Sequence, residues 1–425
     1  MIQQPASQKD TTCQDDFDPN SLNVEEAQQR IRQLITPLTE TETISIDQAL
    51  NRTLAQDILS TINIPPQTNS AMDGYGIKFS DIDSPNPAPL RVIGSVHAGT
   101  PFSETIQQGE CVRIMTGAVI PPGVDTVVMQ EHAELVNNSV SIKGRHQPGQ
   151  NIRLAGEDLN IGDAAVKQGT LLKPTDIGII ASLGVSSVTV YRRLTAAIFS
   201  TGDELNDLDQ PLQEGQIYDS NRHTLRHLLQ QLNISVTDLG ILKDEPKILE
   251  DALSQAKNNY DILITSGGVS VGDADYVKQT LEALGEMSFW KIAMKPGRPM
   301  AVGKLDHPYF FGLPGNPVST VVTFYQIVLP ALRYLMGQTE TENPTLPLTC
   351  VSALKKRPGR TEYQRGIMFY DENGQCCVKT TGNQGSHVLS SMNTANCFIV
   401  LDQDSGNVAA GSAVKVQPFQ GILGF

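Results

Sequence analysis

The sequence contains no stretch of about 18 consecutive apolar residues, which argues against a membrane span. Positive charge is in short supply: 32 Lys and Arg face 46 Asp and Glu, a formal charge of -14. That balance disfavours duplex nucleic acid or an anionic membrane as the main partner. A local basic pocket could still take an anionic substrate. The six cysteines (Cys13, Cys111, Cys350, Cys376, Cys377, Cys397) form no C-x-x-C pair and no zinc spacing. They read as reduced structural thiols, which favours the cytoplasm. No G-x-x-x-x-G-K-[ST] occurs, and no G-x-G-x-x-G follows the first strand of the α/β segment. A P-loop ATPase and a dinucleotide dehydrogenase thereby lose their main sequence support. Met1 to Pro19 lacks the basic start and apolar core of a signal peptide, and residues 1–20 are expected to be a disordered lead-in.

Aromatic residues are sparse at 5%, but the apolar fraction of 39% is adequate for globular folding. A chain of 425 residues exceeds one ordinary core, so several domains are expected. The 35 glycines and 25 prolines imply many turns and small β-rich units.

From Ser21, S-L-N-V-E-E-A opens a helix with Asn23 or Ser21 as cap and Glu25 and Glu26 in the first turn. A second short helix is expected over Ile46 to Leu54. Pro65 and Pro66 then break the pattern. Short alternating runs follow: Leu90–Val96, Cys111–Met115, Thr126–Gln130 and Ser139–Lys143. Signals around Pro174–Leu183 and Val188–Val190 rejoin the N-terminal helices. Expected boundaries are a discontinuous helical domain at 21–62 plus 156–191 and a β-rich inserted domain at 63–155.

From Leu194 strands and helices alternate. Strand Leu194–Phe199 precedes a helix with Leu225, Leu228, Leu229 and Leu232 on one face, capped by Asp219 or Ser220. Strand Val236–Leu242, a helix through Leu249, Leu253 and Ala256, and strand Asp261–Thr265 come next. A helix through Val277, Leu281 and Leu284, strands Phe289–Met294 and Tyr309–Gly312, and a long helix from Asn316 complete the set. This order predicts a parallel, doubly wound sheet over residues 192–338. The tail, 345–425, reads as short strands in a small β-barrel or sandwich.

Ligands of such a sheet bind beyond the carboxyl ends of its strands. Three segments fall there: Thr201 to Glu204, Ser266 to Tyr276, and Leu313 to Ser319. Ser266, Gly267, Gly268, Ser270, Gly272, Pro314, Gly315, Asn316, Pro317 and Ser319 would let backbone N–H groups and hydroxyls approach an anion at helix starts. Tight turns with ordinary caps are the plainer alternative for each loop alone. Asp73, Asp158, Glu204, Asp244, Asp273 and Asp275 lie in Gly-, Pro- or Met-bounded loops, where they are either turn and cap residues or the hard oxygen ligands Mg2+ needs beside a phosphate. Lys291 to Pro299 ends in a cationic turn able to bind an oxyanion, with Arg298 capable of bidentate pairing. The tail adds Arg357, Arg360, Arg365, Ser386, Ser390 and Ser391.

In order along the chain stand S-A-M-D-G-Y (Ser70–Tyr75), R-I-M-T-G-A (Arg113–Ala118), G-E-D (Gly156–Asp158), S-T-G-D-E-L (Ser200–Leu205), Y-D-S-N (Tyr218–Asn221), S-G-G-V-S-V-G-D-A-D-Y, M-K-P-G-R-P (Met294–Pro299) and L-P-G-N-P-V-S. From Ser21 to the C-terminus the chain resembles the MoeA/gephyrin E-domain family of molybdopterin molybdenumtransferases. The resemblance implies a homodimer of four-domain subunits, with the active site between the α/β domain of one subunit and the inserted domain of the other. Asp73, Asp158, Glu204, Asp244 and Asp275 fall at its acidic positions, with Asp275, Asp244 and Glu204 as metal ligands for Mg2+. Lys291, Lys295, Pro296, Ser319, Arg360, Arg365, Ser390 and Ser391 fall in its molybdate region, although Thr361 stands where proline is usual; Arg298, from the cationic turn, is expected near the molybdate as well. Thr116, Gly117, Ser220 and Asn221 lie in its other substrate motifs.

The implied reaction inserts molybdate into adenylylated molybdopterin and releases AMP. A separate pterin-adenylylating protein is expected as a partner, together with downstream cofactor acceptors. A non-catalytic molybdopterin-binding or scaffold protein is the alternative, and molybdate and tungstate are not separated by any residue.

Overall fold

The structure is a computed structural model describing residues 21–243, 245–256, 258–268, 280 and 285–419. The expected lead-in, Asp244, Ser270, Gly272, Asp273, Asp275 and most of the helix through Val277, Leu281 and Leu284 lie outside the described residues.

At the centre is a six-stranded mixed sheet in the order Ser235–Leu242, Thr195–Thr201, Ile262–Ser266, Tyr309–Leu313, Pro299–Lys304, Glu286–Lys291. The first four strands are parallel, and the last two are antiparallel additions at one edge. All five residues of Ile262–Ser266 are buried, as a central strand covered on both faces requires. One face packs Ile198, Ile264 and Phe311 against three helices: α1 (Val24–Leu34), α2 (Asn221–Gln231) and a long helix, α3 (Pro317–Leu335). The other face packs Phe199, Leu263 and Phe310 against Leu249 and Leu253.

The edge departs from the expected pattern. The strand expected over Phe289–Met294 ends at Lys291, and a strand that was not expected, Pro299–Lys304, begins at the last residue of the cationic turn. Proline is tolerated there because Pro299 is the strand's first residue.

Helix α1 carries the capping box its sequence announces. Asn23 Oδ1 accepts from the Glu26 N–H at 2.7 Å, and Glu26 Oε2 accepts from the Asn23 N–H at 3.1 Å. Its buried face joins the α/β core rather than a separate helical unit. The helix expected over Ile46 to Leu54 is only a 3-10 turn, Ile46–Gln48, followed by Asn51 at φ 58°. That N-terminal region is instead held by the strand pairs Thr41–Ser45 with Ser187–Tyr191 and Ile58–Leu59 with Ala164–Val166, plus helix Pro174–Ser182. The inserted region is a separate six-stranded sheet.

Helix α3 is long and apolar enough to cross a membrane by length and composition, yet 89% of that window is buried in the protein. Its apolar character serves the core. A π-helical segment, Phe324–Val328, precedes Pro330. Proline cannot donate to the Gln326 carbonyl, which instead accepts from Gln28 Nε2 of α1 at 2.7 Å. The Tyr325 carbonyl accepts from Asn343 Nδ2 at 2.8 Å.

The tail forms a closed barrel. Thr361–Tyr370 pairs with Cys376–Thr380 on one side and Cys397–Leu401 on the other, and Leu346–Cys350 and Ser412–Pro418 complete the ring. Closure leaves no free sheet edge among these strands. A two-residue strand from the α/β region, Met294–Lys295, pairs with Thr361–Glu362 from outside the ring.

Candidate active site

The described starts of the loops that follow the parallel strands at Thr201, Ser266 and Leu313 meet. The Gly267 N–H donates to the Leu313 carbonyl at 3.0 Å. Asn221 Nδ2 donates to Ser266 Oγ and to the Gly315 carbonyl, each at 2.7 Å, so the start of α2 bridges two loops. Gly267 has φ 91°, and a Cβ there would stand 2.5 Å from the Thr201 carbonyl; only glycine lets these backbones approach so closely. Gly268 also has positive φ, 67°. Among the described residues, an added Cβ at Gly315 would meet nothing nearer than Gly267 Cα at 4.0 Å. Pro314 and Asn316 are fixed from below, their carbonyls accepting from Thr320 Oγ1 at 2.6 and 3.1 Å. Pro317 occupies the first turn of α3, where its missing N–H costs nothing.

Ser200 lies beside Ser266 in the sheet register and is fully buried, with a hydroxyl that has no hydrogen-bond partner. The Glu204 carboxylate folds over Gly202, whose φ is 147°. Ser220 is exposed, and its carbonyl accepts from the Thr224 N–H at 3.1 Å.

Asn221 is held in place by the residue after it. Arg222, 6% exposed, donates to Asp219 at 2.9 Å, to Asp238 at 2.7 Å and to Asp207 at 2.8 Å. Asp219 Oδ1 also accepts from the Arg222 N–H at 3.1 Å, whereas Ser220 makes no side-chain cap bond. Burial is the largest influence on Asp238 and opposes its ionisation, but the hydrogen bonds from Arg222 and the Gly240 N–H, with the charges of Arg222 and Arg226, together outweigh it and the pKa is lowered. This network was not visible in the sequence, because its carboxylates come from three separate segments.

A second group forms where α3 meets the barrel. The turn after Lys295 rests on α3: a Cβ on Gly297 would lie 2.5 Å from Thr323 Oγ1. That Thr323 hydroxyl is buried without a hydrogen-bond partner. Ser319, 4% exposed, sits one turn earlier on the same helix. Pro296 is buried, Lys291 is exposed, and the Arg298 carbonyl accepts from the Ile292 N–H at 2.8 Å. Lys295 Nζ lies 3.4 Å from Glu362 Oε1 of the barrel.

Arg365, 1% exposed, donates from Nε to Ser391 Oγ at 3.0 Å and from Nη2 to the Gly385 carbonyl at 3.1 Å. Burial pushes its pKa down to about 10, so it stays protonated at neutral pH. The Val318 N–H, at the start of α3, donates to the Ser386 carbonyl of the same barrel loop at 3.1 Å. Arg360 is half-buried on the barrel, and Ser390 is exposed beside the buried Ser391.

The inserted sheet holds a third group. The Thr116 N–H and hydroxyl both donate to Asp73 Oδ1, and the Gly117 N–H donates to the Ser70 carbonyl at 2.8 Å. Asp158 is exposed on a neighbouring turn, its N–H bonded to the Ile64 carbonyl at 2.9 Å. Among the described residues no hydrogen bond joins Asp73, Thr116 or Asp158 to the strand-end loops. Glu204 is the one expected metal ligand among the described residues. No group of three or more His, Cys, Asp or Glu among them is placed to hold a metal ion. A separate cleft of about 420 Å³ between α1, α3 and the barrel contains none of the expected site residues.

Residues 197–334 match the family profile described as a probable molybdopterin binding domain. Fold and strand-end loops thus place the chain among the proteins of molybdenum-cofactor biosynthesis. Residues 22–184 match the MoeA N-terminal region (domain I and II), and residues 347–419 match the MoeA C-terminal region (domain IV). The chain belongs to the MoeA family. It is 45% identical over 405 residues to a molybdopterin molybdenumtransferase of Haemophilus influenzae, covering 95% of this chain and all of that protein. Identity is 38% to the molybdopterin molybdenumtransferase of a Nostoc species, over 89% of this chain and 88% of that one. It is 36% to gephyrin of Dictyostelium discoideum, over 88% of this chain and 59% of that protein. The crystal structure of a molybdopterin biosynthesis moeA protein from Pyrococcus horikoshii superposes with a TM-score of 0.81 at 28% identity, covering 94% of this chain and all of that one.

Proposed function

We propose that this chain is a molybdopterin molybdenumtransferase that takes adenylylated molybdopterin and molybdate and yields molybdenum cofactor and AMP. The observation that carries the reading is the meeting of Gly267, Ser266, Asn221 and Gly315 at the strand ends, on the same sheet whose α3 helix presents Ser319 to the Lys295 turn. The cradle offers peptide groups and small side chains to the diphosphate of the pterin nucleotide. Lys295, Arg298, Ser319, Arg365 and Ser391 form the region for molybdate, a tetrahedral oxyanion. Placing cations beside one anion and backbone dipoles beside the other lowers the repulsion between two negatively charged substrates. Cleavage of the phosphoanhydride releases AMP, and the pterin dithiolene takes up the molybdenum.

A Mg2+ ion held by Asp275, Asp244 and Glu204 belongs to this proposal and would neutralise the diphosphate. The proposal also includes a homodimer, in which Asp73, Thr116 and Asp158 of one subunit complete the site of the other. A cytoplasmic location fits the described cysteines, all of them free.

The test is AMP release from adenylylated molybdopterin with and without molybdate. Wild type should release AMP in a molybdate-dependent way. Asp275→Asn should keep pterin binding and lose that release, and normal turnover by the variant would remove Asp275 from the mechanism.

A further inference from the structure

Lys295 stands at the junction of the α/β region and the barrel, and its surroundings contain more charge than oxyanion binding needs. Its ammonium, on a side chain 44% exposed, pairs with the Glu362 carboxylate, whose side chain is 7% exposed. The second carboxylate oxygen accepts from Gln364 Nε2 at 3.0 Å, and the same amide donates to the Lys355 carbonyl at 2.9 Å. Glu362 is therefore fixed, while Lys295 reaches it from a flexible, half-exposed stem.

A second ammonium lies within electrostatic reach of the same carboxylate. Lys356, 4% exposed, donates to the carbonyls of Arg357 at 3.0 Å, Gln403 at 3.3 Å and Ser405 at 3.1 Å. Burial lowers its pKa; Glu362 opposes that effect and Lys295 adds to it, so the three charges lie within electrostatic reach of one another. Asp404 and Asp402 act on Lys356 as well. The Glu362 carboxylate thus pairs with an ammonium that is able to turn away, while the charge of a second ammonium, locked by three carbonyls, still reaches it. Losing the movable partner does not strand a buried negative charge, because the locked one remains.

We propose that Glu362 is an exchangeable counter-ion of the oxyanion site: it holds Lys295 while the site is empty and yields the ammonium to the bound tetrahedral dianion, with Lys356 remaining as the carboxylate's partner. This rests on the reading of Lys295 as an oxyanion ligand. The dianion must then compete with Glu362 for the lysine. Affinity is moderated and release of the oxyanion toward the dithiolene is eased. Glu362 is a positioning residue that touches no substrate.

The consequence has an unusual sign. Glu362→Gln keeps the side chain's size and its acceptor for Gln364 but removes the competing charge, so sodium molybdate should bind roughly tenfold more tightly. The measurement is isothermal titration of the full-length protein with molybdate, with melting curves run in parallel. Lys295→Met should weaken binding, and adding Glu362→Gln to it should restore no tightening. Glu362→Asp keeps the charge but shortens its reach, and should fall between wild type and Glu362→Gln; this variant decides the matter if Glu362→Gln does not fold. Weaker or unchanged binding in a folded Glu362→Gln protein, alongside a weakened Lys295→Met, would overturn the exchange and leave the oxyanion site standing. Unchanged binding in Lys295→Met would overturn both.

Discussion

Asp73 and Thr116, 43 residues apart, are joined twice through one atom: the Thr116 N–H and hydroxyl both donate to Asp73 Oδ1 at 2.7 Å. The Asp73 carboxyl is exposed, yet these bonds, the N–H first and the hydroxyl second, hold its pKa below the usual carboxylate range. Thr116→Val removes the hydroxyl and keeps the N–H. The Asp73 titration should therefore move up toward the ordinary carboxylate value, which carbon-detected NMR would follow. Because the folded pKa is lowered, the stabilisation from these bonds is present above the unfolded value and lost as pH falls through the folded one. In the variant the contribution should be smaller and its loss complete at higher pH.

Gly267 and Gly315 should separate folding from binding. Gly267→Ala places a methyl against the Thr201 carbonyl in a left-handed backbone, so it should cost roughly 1–3 kcal/mol of stability and also weaken nucleotide-pterin binding. Among the described residues Gly315→Ala meets only the distant Gly267 Cα, so its melting temperature should stay unchanged while its methyl projects into the cradle and binding falls. Denaturant melts paired with ligand titration would check both; equal binding in Gly315→Ala would remove that loop from the cradle.

Arg365 is a buried cation whose side chain donates to a hydroxyl and a carbonyl, an arrangement that does little for stability. Arg365→Met should cost no more than about 1 kcal/mol in a melt, since an apolar side chain suits the space. Molybdate binding should nonetheless be lost. Arg365→Lys should not restore it, because one ammonium cannot reproduce two directed donors. Retained molybdate binding in the Met variant would exclude Arg365 from the oxyanion site.

The Arg222 cluster should behave in the opposite way. Arg222→Met strands Asp219, 2% exposed, beside Asp238, and should cost about 3–5 kcal/mol at neutral pH. The lowered Asp238 pKa gives the direction with pH: the stabilisation is full above the unfolded carboxylate value and is lost as pH falls through the folded one. The gap between wild type and variant in urea melts should accordingly narrow on acidification.

The capping box of Asn23 and Glu26, the central strands and the start of α3 at Pro317 were legible because each depends on residues a few positions apart. The three strand-end loops could be named for the same reason. The strand Pro299–Lys304 was hidden, because the preceding M-K-P-G-R-P reads locally as a turn and the pairing that makes it a strand comes from Glu286–Lys291 and Tyr309–Leu313. Ile46 to Leu54 has helical spacing, but the backbone turns left-handed at Asn51. The Arg222 network draws on positions 207, 219 and 238, and the contact of Lys295 with Glu362 spans 67 residues. No local pattern announces either, because both arise only when distant segments pack.

The two-residue strand Met294–Lys295 ties the fate of the lysine to the alignment of a distant barrel. The Thr361 N–H donates to the Ala293 carbonyl at 2.8 Å, and Lys295 lies opposite Glu362. Strand neighbours alternate sides, so a slip by a single residue would turn Glu362 away and bring Thr361 or Tyr363 against the lysine. Insertions and deletions in the connecting stretch 336–345 are therefore tolerable only where they preserve this alignment, and the barrel acts as a gauge for the position of one ammonium group.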